Sequence, residues 1–228
     1  MTKRIVRMSA AVIAGLAIVF GGVWILTRTL GEHETLYRGK PADYWSAQLN
    51  GPDASASNQA NAVVIGEIIP SLVNVMFCDT NDSRLRMVLV DKLHTLPGVT
   101  IYFEPADGRR ALAARGLGEF GLAAKSAIPV LLQALKSKDT VVHGPAVAAL
   151  GKIHGEPDTI IPLLIGYLDD NELNDEAATA LGNFGAEAKA ALPKLIPMLK
   201  IPNKDLHHAV TLALKQIDPA IAAQAGVK

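Results

Sequence analysis

The sequence predicts an all-α fold, an α-α solenoid in which helix pairs stack on near-copies of themselves, preceded by one transmembrane helix. Three observations support this fold class. The composition is 50% hydrophobic but only 5% aromatic, and it is rich in Ala and Leu, which favours helices over sheets. A motif recurs at a regular interval in the second half of the chain, as in repeat proteins. A long uncharged apolar run lies close to the N-terminus.

The apolar run from Met8 to Leu26 has 19 residues and no charge. At about 1.5 Å per residue, such a helix is nearly as long as the hydrocarbon layer of a bilayer is thick. Lys3, Arg4 and Arg7 precede it, so the positive-inside rule predicts a single-pass anchor with the N-terminus in the cytoplasm and the rest outside. The alternative is a cleaved signal peptide, although its apolar part is usually shorter and an Ala-x-Ala site is missing. Both readings predict export.

These features divide the chain into segments. The predicted segments are a basic tip at 1–7, a transmembrane anchor at 8–27, a linker at 28–40, a repeat domain at 41–217 and a tail at 218–228. Within the repeat domain, we expect 41–104 to be irregular and 105–217 to be regular. Cys78 is the only cysteine, which excludes an intramolecular disulfide and predicts a small buried side chain.

Three copies of one motif superimpose in the second half of the chain, and a fourth, incomplete copy covers His208 to Ile217. Each copy has one repeated glycine and one repeated proline: Gly118 and Pro129, Gly151 and Pro162, and Gly182 and Pro193. Successive glycines are 33 and 31 residues apart, and so are successive prolines. In every copy the proline follows the glycine by 11 residues. Each copy is predicted to form two helices, with the proline in the opening turn of the second. The repeated glycine lets neighbouring helices approach closely, and Lys215 at that position in the last copy is typical of a capping repeat.

Glycine is also predicted to end the first helix of each copy, because a helix C-terminal cap needs left-handed backbone. The residues concerned are Gly121, Gly155 and Gly185. Upstream of the regular copies the pattern is weaker. There we predict a helix at 41–49, one shortened unit at 61–72 with a loop between Gly66 and Pro70, a helix at 83–96 and an extended link at 101–103.

The Ala-Leu-Gly-x-Phe-Gly…Ala-x-Pro-x-Leu pattern of the regular copies resembles the HEAT-repeat family in its short-unit form, like that of bilin lyases. The resemblance implies a superhelix with first helices on the convex side and second helices on the concave side. The segment from Tyr37 to Leu49 resembles one that often precedes such repeats in exported bacterial proteins. Together with the anchor, this implies a protein of the inner membrane whose domain lies in the periplasm.

The resemblance also reaches enzymes. Deoxyhypusine hydroxylases bind di-iron through His-Glu pairs at the start of first helices, where this chain has Gly144-Pro145, Asp175-Glu176 and His208-Ala209. We therefore predict no catalytic, cofactor-binding or metal-binding residue and no enzymatic activity; a bilin-lyase-like enzyme or maturation factor is the alternative. After residue 31 the chain has 18 basic and 22 acidic residues, so nucleic acid is not an expected partner.

The predicted function is a membrane-anchored scaffold that binds a protein or peptide partner. By helical register, the outward face of the second helices is more apolar than a solvated surface requires. The predicted partner-binding residues are Val130, Gln133, Leu163, Tyr167, Lys194 and Met198. Alternatively, tight curvature of the solenoid buries these side chains. His143 and His207 share one position near the start of first helices with Arg110 and Asn174, and we predict a solvated polar row there.

Overall fold

A computed structural model of the chain describes residues 36–49, 51, 53–78 and 105–227, without the side chain of Cys78. The predicted anchor at 8–27, most of the linker, the helix at 83–96 and the link at 101–103 lie outside the described residues, as does the predicted burial of Cys78. Across the described ranges the secondary structure is helical, and the only β-type pairing there is one isolated bridge between Tyr37 and Lys40. The all-α prediction is confirmed for this part of the chain.

The described chain begins with a tight turn that is linked to the helices after it by a hydrogen bond and an ion pair. Helix α1 spans Ala42–Leu49, in agreement with the predicted helix. Its buried Trp45 donates a hydrogen bond from Nε1 to the Tyr37 carbonyl oxygen, at 2.9 Å. Arg38 extends from the same turn to Glu67, with 2.8 Å between Nε and Oε1. The segment before the repeats is therefore an ordered part of the fold.

The next segment is one continuous helix, so the prediction of a loop between Gly66 and Pro70 is wrong. It comprises α2 (Ala54–Val63), a π-helical turn (Val64–Ile68) and α3 (Ile69–Cys78). A proline inside an α-helix lacks an N–H and clashes with the carbonyl four residues earlier. Here the turn before Pro70 is widened, and the Ile69 N–H bonds the Val64 carbonyl oxygen five residues back. This wider turn accommodates the proline without a break.

By length and composition, one helix in the described part of the chain could cross a membrane. It is the 24-residue stretch Ala54–Phe77, whose most apolar 18-residue window has a mean hydropathy of 1.6. One third of its most apolar window is buried inside the fold, where Val63, Val64 and Ile68 are fully enclosed. The buried helix of a folded domain passes the same test, so this helix alone is weak evidence for a membrane span.

Four helix pairs follow, one for each copy of the motif. The first helices are α4 (Ala106–Glu119), α6 (His143–Ile153), α8 (Asn174–Asn183) and α10 (Lys204–Ile217); the second helices are α5 (Ile128–Ala134), α7 (Pro157–Tyr167), α9 (Leu192–Met198) and α11 (Pro219–Gln224). Helix α11 lies within the predicted tail at 218–228. Asp218 caps it by accepting hydrogen bonds from the Ala220 and Ile221 N–H groups, and Ala222 is buried. This segment is therefore the second helix of the fourth unit.

The first helices pack against one another in chain order, α4 on α6, α6 on α8 and α8 on α10. A Cβ placed on Gly118 would lie 3.0 Å from the Ala149 Cα; on Gly151, 2.6 Å from the Ala180 Cα; on Gly182, 2.9 Å from the Ala213 Cα. At each of these glycines, the helix backbone therefore lies in close contact with an alanine of the next first helix. The predicted close approach at these positions is confirmed.

The second helices pack differently, each onto the first helix that follows it: α5 onto α6, α7 onto α8 and α9 onto α10. Their inward residues are fully or almost fully buried. These are Ile128 and Leu131 in α5, Ile160 and Leu164 in α7, and Leu192 and Leu195 in α9. Helix propensity alone does not hold elements this short, so the buried stripe fixes their position.

Two of the three predicted glycine caps are confirmed, since Gly121 and Gly185 have φ of +52° and +53°. The prediction for Gly155 is wrong. In that unit the left-handed backbone is at His154 and Glu156, with φ of +52° and +53°. Gly155 has another role, because a Cβ there would come within 2.7 Å of the Ile128 Cδ1. It lets the loop pass close to α5 of the preceding unit.

The predicted proline positions hold in two units. Pro129 and Pro193 lie in the opening turns of α5 and α9. Pro162, in contrast, lies inside α7, because that helix begins five residues earlier, at Pro157. In the other two units, a 3-10 turn precedes the second helix, at Gly121–Ala127 and at Gly185–Ala191. The middle unit has the left-handed residues before Pro157 in place of such a turn. The middle unit therefore has the longest second helix of the three.

Candidate partner-binding surface

The outward side of α5, α7 and α9 is here called the second-helix face. The five predicted residues on it are Val130, Gln133, Leu163, Tyr167 and Lys194. Gln133 is exposed and the other four are half-buried. Neither alternative of the sequence analysis holds in full: the apolar residues are partly covered by the core, yet they keep accessible surface.

Met198, the sixth predicted residue, is only 7% exposed and belongs to the buried core. Its register matches that of Tyr167, so the sequence predicted an outward position. The unbranched, flexible side chain of methionine can fold inward to fill a gap where a tyrosine ring keeps its hydroxyl near solvent. Met198 is therefore removed from the candidate surface.

Val130 and Gln133 lie on a cleft of about 370 Å³ where α3, α4 and α5 meet, here called the α3–α5 cleft. Its apolar lining includes Met76 and Phe77 from the end of α3. The Phe77 side chain is 44% exposed, although it is large and apolar. The volume is within the range of small-ligand and side-chain pockets. The lining residues are Met76, Phe77, Val130, Ala134 and Val142, with Gln133 and Lys138 at the rim.

An ion pair forms one wall of this cleft. The Arg110 Nε and Nη2 both donate to the Asp139 Oδ2, the former at 3.2 Å. The two side chains are only 15% and 21% exposed. The other oxygen of Asp139 accepts a hydrogen bond from the Val141 N–H at 3.3 Å, which caps the short helix Thr140–Val142. Both oxygens of this carboxylate are therefore engaged within the protein.

Leu163 and Tyr167 lie one unit further along, beside the turn from Asp169 to Glu172. This turn holds three carboxylates. Lys194 extends from α9 to this turn, with its Nζ 2.6 Å from the Asp169 Oδ2 and 2.9 Å from the Ile165 carbonyl oxygen. Burial raises the pKa of the Tyr167 hydroxyl, and the negative charge of Asp170 raises it further. Lys194 thus holds the turn in place and is not an independent contact group.

The predicted solvated row at the start of the first helices is also corrected. Asn174 is buried and Arg110 is ion-paired, while the His143 Nε2 lies 3.1 Å from the Ser137 carbonyl oxygen. Only His207 of the four is exposed. Most of the row is therefore part of the packing between units.

Sequence reasoning missed one group of this region, the Glu176 carboxyl group. Its Oε2 is buried and has no hydrogen-bond partner among the described residues, and a Cβ on Gly144 would lie 3.2 Å from Oε1. Desolvation raises the pKa of Glu176 to about 7, and a hydrogen bond with the neighbouring Asp175 carboxyl group adds to the shift. No sequence signal marks this residue, because its burial arises only when α8 packs against α6.

Phe77 and Lys138 were also missed, since the cleft they line joins α3 to elements that follow it only after the 27 residues 79–105. Among the described residues, no three His, Cys, Asp or Glu side chains are placed to hold a metal ion together. The absence of an enzymatic activity remains a prediction.

Comparison with known proteins supports the repeat architecture. Among curated proteins, no sequence matches this chain. A family model of HEAT repeats matches residues 104–174, which include α4, α5, α6 and α7 and hence two of the three helices of the second-helix face. HEAT repeats commonly mediate protein–protein interactions. The match supports a HEAT-repeat protein.

Proposed function

We propose that the chain is a membrane-anchored HEAT-repeat scaffold that binds a protein partner through its second-helix face, on the extracytoplasmic side of the membrane. One observation carries the proposal. The first helices use their small residues to stack on one another, whereas Val130, Leu163 and Tyr167 on the second helices keep part of their apolar surface open. Partly open apolar residues beside polar rims are typical of protein interfaces.

A binding role is favoured over a catalytic one because the polar groups of the described repeats hold the structure itself. Asp139 caps a helix and pairs with Arg110. The His154 Nδ1 lies 3.1 Å from the Asn183 carbonyl oxygen, and its ring stacks on Phe184 with 4.7 Å between centroids. Groups held in this way keep neighbouring units in register and leave recognition to the outward side chains.

The anchoring part of the proposal rests on the uncharged run from Met8 to Leu26 and the basic residues before it. The described fold begins at Leu36, and ten residues of sequence, 27–36, lie between the run and Tyr37. Protease treatment of intact spheroplasts tests the topology. We expect digestion of the repeat domain from outside; protection until the membrane is lysed would contradict the proposal.

A pull-down from solubilised membranes with the full chain tests partner binding. We expect Leu163→Glu to lose the partner while the melting temperature stays close to that of the natural chain. Leu122→Glu is the matched control, because Leu122 is 66% exposed and lies in the turn before α5, outside the three helices that form the second-helix face. It should retain the partner.

If Leu163→Glu lowers the melting temperature strongly, Gln133→Arg replaces it, since Gln133 is exposed and its substitution cannot open the core. Retention of the partner by both Leu163→Glu and Gln133→Arg, at natural stability, would show that the partner binds elsewhere.

A further inference from the structure

We propose that the α3–α5 cleft binds a large apolar side chain of a polypeptide partner that has acidic residues beside it. This inference rests on the proposed scaffold function and names the chemistry of the partner. The cleft lies beside the predicted face, and its lining residues come from α3, α4, α5 and the segment that follows α5.

The lining of the cleft is largely apolar. Met76, Phe77 and Val142 face a space of about 370 Å³ that is open at one side. Phe77 is 44% exposed and shares this lining with Val130 and Ala134, so its ring belongs to a contiguous apolar surface and is not a single scattered side chain. A bulky apolar side chain inserted between Phe77 and Val130 would remove both from water and supply the anchor of an interface.

The rim of the cleft carries charged side chains. Among the described lining residues the one carboxylate, that of Asp139, is neutralised by Arg110, and its second oxygen accepts the Val141 N–H. The exposed Lys138, in contrast, has no ion pair with any residue that the structure describes, and Lys136 is exposed two residues earlier. The rim therefore presents positive charge, and an acidic neighbour of the apolar anchor complements it.

Gln133 gives the rim a third feature. Its exposed side-chain amide stands one helical turn after Val130, and it can both donate and accept hydrogen bonds. A peptide backbone crossing the mouth of the cleft needs such a group. Together, an apolar pocket, an amide and a lysine fit a polypeptide segment better than a free fatty acid, which would leave the amide unused.

Calorimetric titration of the full chain in phospholipid nanodiscs tests the inference. The probes are a synthetic decapeptide with a central Leu-Trp pair flanked by Asp residues, and a matched peptide with Lys in place of each Asp. We expect the acidic peptide to bind about tenfold more tightly than the basic one, the scale of charge complementarity at an interface rim.

Three variants sharpen the test. Lys138→Glu should reduce the preference for the acidic peptide by roughly three- to tenfold. Lys200→Glu makes the same charge change at an exposed site two units away and should leave the preference unchanged. Ala134→Leu fills the cleft from the half-buried end of α5 and should weaken both peptides.

Equal affinity for the two peptides, equal effects of Lys138→Glu and Lys200→Glu, or no binding of the acidic peptide would each overturn the inference. Tighter binding of dodecanoate than of the acidic peptide would overturn it in favour of a small-molecule site. The scaffold function is judged separately. If the acidic peptide does not bind but Leu163→Glu still abolishes partner capture, the inference on the cleft fails and the proposed function stands.

Discussion

The first-helix layer and the second-helix layer of the repeats are built from the same motif, yet they differ in what each copy keeps constant. Where first helices meet, Gly118, Gly151 and Gly182 all face an alanine on the next helix. At the corresponding outward position of the second helices, the residues are Val130, Leu163 and Lys194. Constancy among copies therefore marks the contacts that build the stack, and variation marks the surface left for recognition.

The physical reason is the distance between backbones. First helices approach until a Cβ would overlap the neighbouring Cα, so only the smallest residues fit. Second helices contact the next first helix through their inward stripe and leave their outward side without such a constraint. In the first two predictions below, a residue that belongs to the stack is compared with a neighbour that does not, and the third concerns a carboxyl group between stacked first helices.

The largest effect is expected within α7, where Leu164 is fully buried and Leu163 is half-buried. Leu164→Ala leaves a cavity in the core and should lower the free energy of unfolding by about 2–5 kcal/mol. Leu163→Ala should cost roughly 1 kcal/mol or less, as expected for a site that solvent partly fills. Chemical denaturation of both variants measures the difference. Equal losses would mean that α7 has no free outward side.

A smaller effect on stability is expected from replacing Gly151 or Gly166 by alanine, and its sign should differ between the two sites. In Gly151→Ala the new Cβ would lie 2.6 Å from the Ala180 Cα, a backbone atom that cannot move alone, so we expect a loss of about 1–3 kcal/mol. Gly166→Ala places its Cβ in open space within α7 and should stabilise the fold by roughly 0.5–1 kcal/mol. Thermal melts of the two variants check the signs. Stabilisation by Gly151→Ala would refute close stacking of the first helices.

The smallest effect is a pH dependence from Glu176. Its pKa is raised to about 7 in the folded state, mainly by desolvation, whereas the ordinary value is 4.5. Folding therefore favours the protonated form: the destabilisation is absent below pH 4.5, grows between pH 4.5 and 7 and is complete above pH 7. The melting temperature should rise as the pH falls from 8 to 5, by less than the shift alone implies because the side chain is partly exposed.

Glu176→Gln removes this titration. We expect it to melt at a higher temperature than the natural chain at pH 8 and to show a flatter profile between pH 5 and 8. Asp218 does not interfere in this range, because hydrogen bonds from the Ile221 N–H and other groups hold its pKa below the ordinary value. An unchanged profile would show that Glu176 is solvated and that α6 and α8 are further apart at this point.

Much of the repeat architecture could be predicted from local sequence. The spacing of Gly118 and Pro129 and of their counterparts located both helices of each regular unit, and the caps at Gly121 and Gly185 followed from backbone preference. The prediction of a cap at Gly155 was wrong because His154 and Glu156 adopt the left-handed backbone instead. The conformational energy that this costs a residue other than glycine is offset by the surrounding packing. The prediction of a loop before Pro70 was wrong because a π-helical turn accommodates the proline within a continuous helix. No residue pattern indicates such a turn.

The sequence by itself determined which stretches are helical, where the small residues must lie and that the second helices have an apolar outward side, because helix periodicity and glycine chemistry are local properties. Only the tertiary structure decided how far that side is covered, that Met198 turns inward, that Lys194 is held by Asp169, and that Phe77 and Lys138 line one cleft. These outcomes depend on distances between residues of different helices. Such distances are fixed by the packing of the whole stack and are not contained in any single segment.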